Sequence, residues 1–109
     1  MTTTNETFLY LTTTGRKTGN PHTIEIWYVE YDDCYYLCAE HREKSDWVQN
    51  ILANPHVTYY ISERNQPTPA QNGTASILTD NTLLQTLHHK FQSKYNWNNG
   101  LFVQISNKE

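Results

Sequence analysis

The stretch TGRKTG, residues 14–19, lies between two runs of β-branched and aromatic residues, as is typical of the turn between two β-strands. Its two glycines bracket Arg16, Lys17 and Thr18. Glycine accepts the positive φ that a tight hairpin needs, so the stretch predicts a hairpin between two strands. Such a hairpin would gather two cations and several backbone N–H groups, which suits an anion such as a phosphate. The competing interpretation is an ordinary solvated turn.

Strand-forming segments extend outward from this hairpin. Residues 7–14 and 22–31 are rich in β-branched and aromatic side chains and predict the first two strands. A turn at residues 32–33 leads to a third strand at 34–39, so that the three strands form an antiparallel meander. Further strands are predicted later in the chain, for a total of six, at residues 57–61, 74–79 and 101–105.

The second predicted strand is apolar on both faces. Alternation places Ile24, Ile26 and Tyr28 on one face and Glu25, Trp27 and Val29 on the other. Such a strand in a small antiparallel fold predicts a closed barrel on one side, with a partner subunit, a helix or a flat ligand on the other. The face that carries Glu25 and Trp27 would line a pocket or lie in a subunit interface. With eight Tyr and three Trp in a short chain, we expect a homodimer.

Two helices are predicted between and after these strands. Ser45 or Asp46 would cap a short helix at residues 47–53, which the Asn-Pro pair at 54–55 ends. Asp80 would cap a longer helix whose apolar face ends at Tyr95. The whole chain, residues 1–109, is therefore interpreted as one mostly β domain: a small antiparallel barrel that carries two helices.

A second basic cluster, Arg42 and Lys44, precedes the short helix. Together with Arg16 and Lys17 it holds four of the eight Lys and Arg residues of a chain whose net charge is −3. A locally basic site on an acidic protein suits a small anionic ligand, and the helix N-terminus would add N–H donors. The competing interpretation is a polar loop. The overall charge argues against general nucleic-acid binding.

Several other classes of protein are not indicated. No apolar run approaches the ~20 residues of a membrane span, and residues 1–5 lack the features of a signal peptide. Cys34 and Cys38 would lie ~13 Å apart on one strand, too far for a disulfide, and unpaired thiols fit a cytoplasmic protein. No metal-ligand cluster or catalytic triad stands out, so we expect no metal site and expect any redox chemistry to come from a cofactor.

The hairpin and the short helix together carry a family likeness. The motif LTTTGRKTG at residues 11–19, followed by WVQNILANPHV at 47–57, resembles the deazaflavin-dependent nitroreductase family of the flavin/deazaflavin oxidoreductase superfamily. The resemblance implies a split β-barrel of the FMN-binding type, usually a homodimer, that binds coenzyme F(420) or FMN. It also implies an oxidoreductase that passes hydride to a small-molecule electron acceptor: a quinone, a nitro compound or an enone.

The resemblance further implies roles for particular residues. Arg16, Lys17 and Thr18 match the hairpin near the cofactor phosphate, and Trp47 and Asn50 match the helix whose start faces the phosphate-bearing tail. The alternatives are that Trp47 anchors the helix in the core and that Asn50 binds the backbone of a neighbouring loop. Three aromatic residues are candidates for contact with the acceptor, with packing as the alternative: Tyr28, Tyr95 and Trp97.

One departure from the family pattern concerns the loop before Trp47. Many deazaflavin-binding members have a Ser- and Gly-rich loop there, whereas this chain has AEHREKS at residues 39–45. The bulkier loop could bind a phosphate through its side chains, as in flavin-binding relatives, or block the site. Two function classes therefore stay open. One is a deazaflavin- or FMN-dependent reductase, and the other is a carrier that holds a flavin, a tetrapyrrole or another small hydrophobic ligand on the same barrel.

Overall fold

The described part of the chain forms an antiparallel sheet of seven strands and two α-helices. A computed structural model describes residues 7–63, 68–96 and 100–107. The strands are β1 (Thr7–Thr14), β2 (Pro21–Ile26), β3 (Tyr28–Tyr31), β4 (Cys34–Ala39), β5 (His56–Glu63), β6 (Gln71–Ile77) and β7 (Leu101–Ser106). The helices are α1 (Asp46–Ala53) and α2 (Asn81–Tyr95), and a 3₁₀ turn at Arg42–Lys44 precedes α1.

The strand predicted at residues 22–31 is two strands, because the chain changes partner at Trp27. β2 pairs with β1, whereas β3 pairs with β4. The order across the sheet is β2-β1-β5-β6-β7-β4-β3, so its two outermost strands are consecutive in the chain and joined by Trp27 alone. A sheet whose edges are joined by one residue must curl on itself. The predicted split β-barrel is confirmed, but it has seven strands rather than six.

Two apolar cores lie on the two faces of the curled sheet. The first is enclosed by the barrel and receives Tyr28 as a partly buried neighbour; its buried members are Leu9, Leu11, Leu37, Ile51, Val57, Tyr59, Ala75, Val103 and Ile105. The second lies under α2 and contains Val29, Cys34, Tyr36, Cys38, Leu87, Phe91 and Phe102. Because Tyr28 and Val29 enter different cores, β3 is two-faced as predicted, and a helix covers its second face.

Local sequence signals explain the turns and helix ends. Tyr31 pairs with Cys34, which leaves a two-residue loop whose φ angles are 53° and 65° at Asp32 and Asp33. This is the left-handed geometry of a type I′ hairpin turn. The Asp80 carboxylate accepts hydrogen bonds from the amides of Thr82 and Leu83 at 2.9 and 3.2 Å, so the predicted cap of α2 is confirmed. β6 begins at Gln71 rather than at residue 74, because its first polar residues pair with β5.

Two expectations about the chain as a whole are also met within its described residues. Cys34 and Cys38 are buried free thiols. None of the described helices combines the length and apolar character needed to cross a membrane.

The titrating groups of the core lead to a prediction about stability. Burial raises the pKa of the Cys38 thiol from 9.0 to about 12, and burial also raises the pKa of Tyr35, Tyr36 and Tyr59. Above about pH 9 the unfolded chain therefore binds fewer protons than the folded chain, so the free energy of unfolding falls as the pH rises. Urea unfolding between pH 7.5 and 10.5 measures this decline.

A variant without the thiol distinguishes its contribution to this pH dependence from the contribution of the tyrosines. In Cys38→Ala the free energy of unfolding should fall less steeply between pH 9 and 10, where the thiol of the unfolded wild-type chain ionises. Slopes that are equal in the variant and the wild type would contradict the assignment to Cys38.

Candidate functional site

The β1–β2 hairpin loop, residues 15–20, is closed by its own backbone. The Gly15 N–H donates to the Asn20 carbonyl, and the Gly19 N–H donates to the Gly15 carbonyl, both at 2.8 Å. Gly19 has φ 79°, which favours glycine. At Gly15 the restriction is spatial, since a Cβ there would lie 2.8 Å from Nε2 of His22 and 3.1 Å from the carbonyl oxygen of Asn20. The predicted hairpin is therefore confirmed, and each of its glycines has a separate cause.

Arg16 is directed at α1. Its backbone N–H and its Nη1 both donate to Oδ1 of Asn50, at 3.2 and 2.9 Å, and its Nη2 lies 3.4 Å from Oδ1 of Asp46. Asp46 is almost fully exposed, so this ion pair contributes little, and the bonds to Asn50 are the stronger restraint. Arg16 thus fastens the hairpin to the helix.

Asn50 uses both ends of its amide inside the protein. Its Oδ1 accepts from Arg16, and its Nδ2 donates to Oγ1 of Thr13 at 3.1 Å. The residue is only 4% exposed. This geometry corresponds to the alternative in which Asn50 binds the backbone of a neighbouring loop, and it explains an asparagine in the middle of a helix.

A pocket of about 470 Å³, here called the hairpin pocket, lies between the loop and α1. Its walls are residues 15–18, residues 22–24 of β2, and Asp46, Trp47 and Asn50. Lys17 and Thr18 are exposed there. Within the described residues, their backbone N–H groups and the Lys17 ammonium make no hydrogen bond to the protein. Arg16 and Lys17 both line this pocket, but Arg16 is also bonded to Asn50, whereas Lys17 makes no such bond.

A second pocket opens where the β3–β4 ladder ends. The last pair of that ladder is Tyr28 with Leu37. Continued pairing would bring residues 24–27 against 38–41, but the two segments separate instead. A cavity of about 680 Å³ is lined by all eight of these residues together with Phe8, Ser45 and Trp47. This split pocket is therefore the gap in the wall of the barrel.

The two pockets are adjacent, because Ile24 and Trp47 line both. The hairpin pocket contributes cationic and N–H donor groups, whereas the split pocket contributes aromatic and aliphatic surface from Phe8, Ile26 and Trp27. Trp47 also packs against the first core, as the alternative interpretation expects, and its contact with a cofactor stays a prediction. The arrangement suits an elongated ligand with a phosphate at one end and a flat ring at the other.

The second basic cluster is placed elsewhere. Arg42 and Lys44 are exposed on the 3₁₀ turn, and neither is among the described residues that line the two pockets. Arg42 has φ 50°, so the backbone turns sharply at this point. Other residues of the same loop, Glu40, His41 and Ser45, line the split pocket instead.

Of the predicted acceptor-side aromatics, Tyr28 and Tyr95 pack against different cores, and neither is among the described residues that line the split pocket. The Tyr28 ring packs against the first core, and its hydroxyl lies 2.8 Å from Oγ1 of Thr7. The Tyr95 ring stacks on Trp27, with centroids 4.4 Å apart and planes 5° apart. Trp97 falls outside the described residues.

A family of known proteins matches most of this chain. The family model described as F420H(2)-dependent quinone reductase matches residues 2–97, which include every residue of both pockets. The chain belongs to this family. Membership in the F420H(2)-dependent quinone reductase family confirms the resemblance to deazaflavin-dependent reductases. Among curated protein sequences there is no significant match.

Solved structures share the fold of this F420H(2)-dependent quinone reductase family member. HutZ, the heme storage protein from Vibrio cholerae, has TM-score 0.73 and 14% identity, covering 96% of this chain and 83% of its own. HupZ from Group A Streptococcus has TM-score 0.71 and 14% identity, with 93% and 80% covered. An F420-H2 dependent reductase, FDR-A, has TM-score 0.59 and 20% identity, with 91% and 93% covered. At these identities the likeness shows the split-barrel fold alone.

The pockets of this family member also contain residues that were not predicted from the sequence. His22 lines the hairpin pocket against Gly15, and His41 lines the split pocket. A signal for His22 was present, since it continues the alternation of Ile24 and Ile26 toward the hairpin. Cys38 also lines the split pocket, but its raised pKa keeps the thiol protonated near neutral pH, so it is not a nucleophile there.

The buried amide of Asn50 gives a stability prediction. Asn50→Ala removes the acceptor of two Arg16 bonds and leaves Thr13 without its donor, so the free energy of unfolding should fall by about 2–3 kcal/mol. Lys17→Ala, on the same hairpin but exposed, should change it by less than about 0.5 kcal/mol. Urea unfolding of both variants measures the difference. An Asn50→Ala variant as stable as Lys17→Ala would refute the structural role.

Proposed function

We propose that this chain is a deazaflavin-dependent reductase that passes hydride from reduced coenzyme F(420) to a small quinone. The observation that carries the proposal is the adjacency of the two pockets in a member of the F420H(2)-dependent quinone reductase family. A donor-rich pocket lies next to a mainly apolar one, and Ile24 and Trp47 line both. Reduction of a nitro compound or an enone is the wider form of the same proposal.

The residues present fit a phosphorylated deazaflavin. Lys17 and the N–H groups of Lys17 and Thr18 would hold the phosphate, and His22 lines the same pocket. Arg16 would contribute indirectly, because its bonds to Asn50 keep the loop in place. Phe8 and Ile26 would line the space for the ring in the split pocket, beside Trp27. FMN also combines a phosphate with a flat ring, so it is the alternative cofactor of this proposal.

The cofactor would supply the hydride, and the chain would supply binding, orientation and exclusion of water. Phe8, Ile26 and Trp27 offer apolar surface on which flat rings can pack. The Cys38 thiol, held protonated by burial, would not add to an electron-poor acceptor. The protein's contribution to the rate would then be mainly the relative placement of two rings.

Two further properties belong to the proposal. A homodimer is suggested by the aromatic excess and by exposed apolar side chains such as Trp27 and Tyr31. A cytoplasmic location is suggested by the two free thiols.

A carrier function is the second candidate. HutZ, described as a heme storage protein, has a similar fold, and the split pocket here is apolar and lined by His41. A carrier would bind a flavin or a tetrapyrrole without accelerating its oxidation.

The hairpin pocket leads to a binding prediction. Lys17→Ala should weaken F(420) binding about tenfold, because one charge-assisted contact to phosphate is worth roughly 1.5–3 kcal/mol and Lys17 is exposed and screened. The control Lys90→Ala removes an equal charge from α2, where Lys90 lies over the Tyr31 ring, and should leave affinity within about twofold. Titration at two salt concentrations measures both. Equal affinities for the two variants would remove Lys17 from the site.

The activity itself is tested by mixing the protein with reduced F(420) or reduced FMN and menadione, and following cofactor oxidation. Oxidation faster than in the absence of protein supports the reductase, and the preferred cofactor decides between F(420) and FMN. If neither cofactor is oxidised faster, across a quinone, a nitroaromatic and an enone, the reductase proposal fails. Tight binding of FMN or heme without turnover would then favour the carrier.

A further inference from the structure

The last turn of α2 holds the chain at the point where β2 becomes β3. The Tyr95 hydroxyl donates to the Tyr28 carbonyl at 2.8 Å and accepts from the Tyr28 N–H at 3.2 Å. One hydroxyl thus makes the two bonds that a neighbouring strand would otherwise make to this residue. Nζ of Lys94 adds a bond to the same carbonyl at 2.9 Å. The backbone next to Trp27 is therefore fixed by side chains of the helix.

The ring of Tyr95 holds the ring of Trp27 as well. The two rings are stacked nearly parallel with centroids 4.4 Å apart. Tyr95 also contacts Phe91, a fully buried residue of the second core, at 5.7 Å between ring centroids. Trp27 is 38% exposed and lines the split pocket. An exposed indole is thus braced, through Tyr95, against the second core.

We propose that Tyr95 is a positioning residue that fixes Trp27 as a platform for the flat acceptor. This inference rests on the proposed function and refines it, because it replaces direct contact between Tyr95 and the acceptor by an action through Trp27. It follows that Tyr95 acts on binding of the quinone and leaves the phosphate end of the site unaffected.

The physical reason is preorganisation. Trp27 belongs to neither β2 nor β3, so no strand ladder restrains its backbone. The stacked Tyr95 ring restricts the rotamers of the Trp27 side chain, so its removal raises the entropic cost that a ligand meets when it orders the indole on binding. The hairpin pocket is held by Arg16 and Asn50, which do not contact Tyr95.

Two substitutions separate the ring from the hydroxyl. Tyr95→Leu removes the stack, and we expect the KM for menadione to rise about tenfold, while the Kd for F(420) stays within about twofold. Tyr95→Phe keeps the ring and loses both backbone bonds, and we expect a rise of about threefold. Lys90→Met, which changes the same helix near Tyr31, is the control and should leave both constants unchanged.

A double-mutant cycle shows whether Tyr95 acts through Trp27. In a Trp27→Leu background there is no indole to position, so adding Tyr95→Leu should raise the KM no further. Additive effects of the two substitutions would overturn the proposal. If Tyr95→Leu does not fold, the same cycle is run with Tyr95→Phe, which retains the packing of the ring against Phe91.

A second readout needs neither cofactor nor turnover. The indole N–H resonance of Trp27 is assigned by its loss in Trp27→Phe, and menadione is titrated into the oxidised, cofactor-free protein. We expect this resonance to shift with menadione in the wild type, and to require about tenfold more menadione in Tyr95→Leu.

The two readouts distinguish the failure of either proposal. A Trp27 resonance that menadione does not move in the wild type, or moves equally in wild type and Tyr95→Leu, overturns the positioning role. An absence of cofactor oxidation in the wild type overturns only the reductase proposal, since the titration still decides whether Tyr95 prepares Trp27 for a flat ligand.

Discussion

The single-residue link between β2 and β3 is the constraint from which the rest of the structure follows. These strands are the two edges of the sheet, and only Trp27 separates them in the chain. The edges must therefore meet at one corner, which curls the sheet, encloses the first core and leaves the second face for α2. Past that corner β2 follows β1 while β4 continues away from it, and the resulting gap is the split pocket. Barrel closure and the pocket have the same geometric cause.

In the candidate site, two adjacent cationic residues make different contacts. Arg16 and Lys17 are neighbours in sequence, yet the structure uses them differently. Both line the hairpin pocket, but Arg16 also bonds a buried amide of the scaffold, whereas Lys17 does not. A guanidinium suits the first task, because several N–H donors in a plane can bond a fixed acceptor from more than one direction. An ammonium on a flexible stem suits an anion that arrives from solvent.

Features set by short segments could be predicted from the sequence. The hairpin at residues 15–20, the turn at 32–33 and the Asp80 cap each depend on residues a few positions apart. The change of partner at Trp27 could not be predicted, because tryptophan favours strands and the alternation of faces continues through it. The orientation of the Arg16 side chain could not be predicted either, since its partner Asn50 lies 34 residues away in the sequence. For Arg42 and Lys44, charge alone does not show which way a loop faces.

The contacts that α2 makes with β3 bear on how separate molecules of this chain behave toward one another. An edge strand presents unpaired N–H and C=O groups, and these can recruit a strand from another molecule. Here the main-chain groups of Tyr28 are already bonded to Tyr95 and Lys94, while Lys90 lies over the Tyr31 ring. An approaching strand would meet two ammonium groups and a blocked backbone position. The contacts of α2 therefore disfavour the addition of a strand from another molecule to the edge strand β3, and such addition leads small β-rich proteins to aggregate.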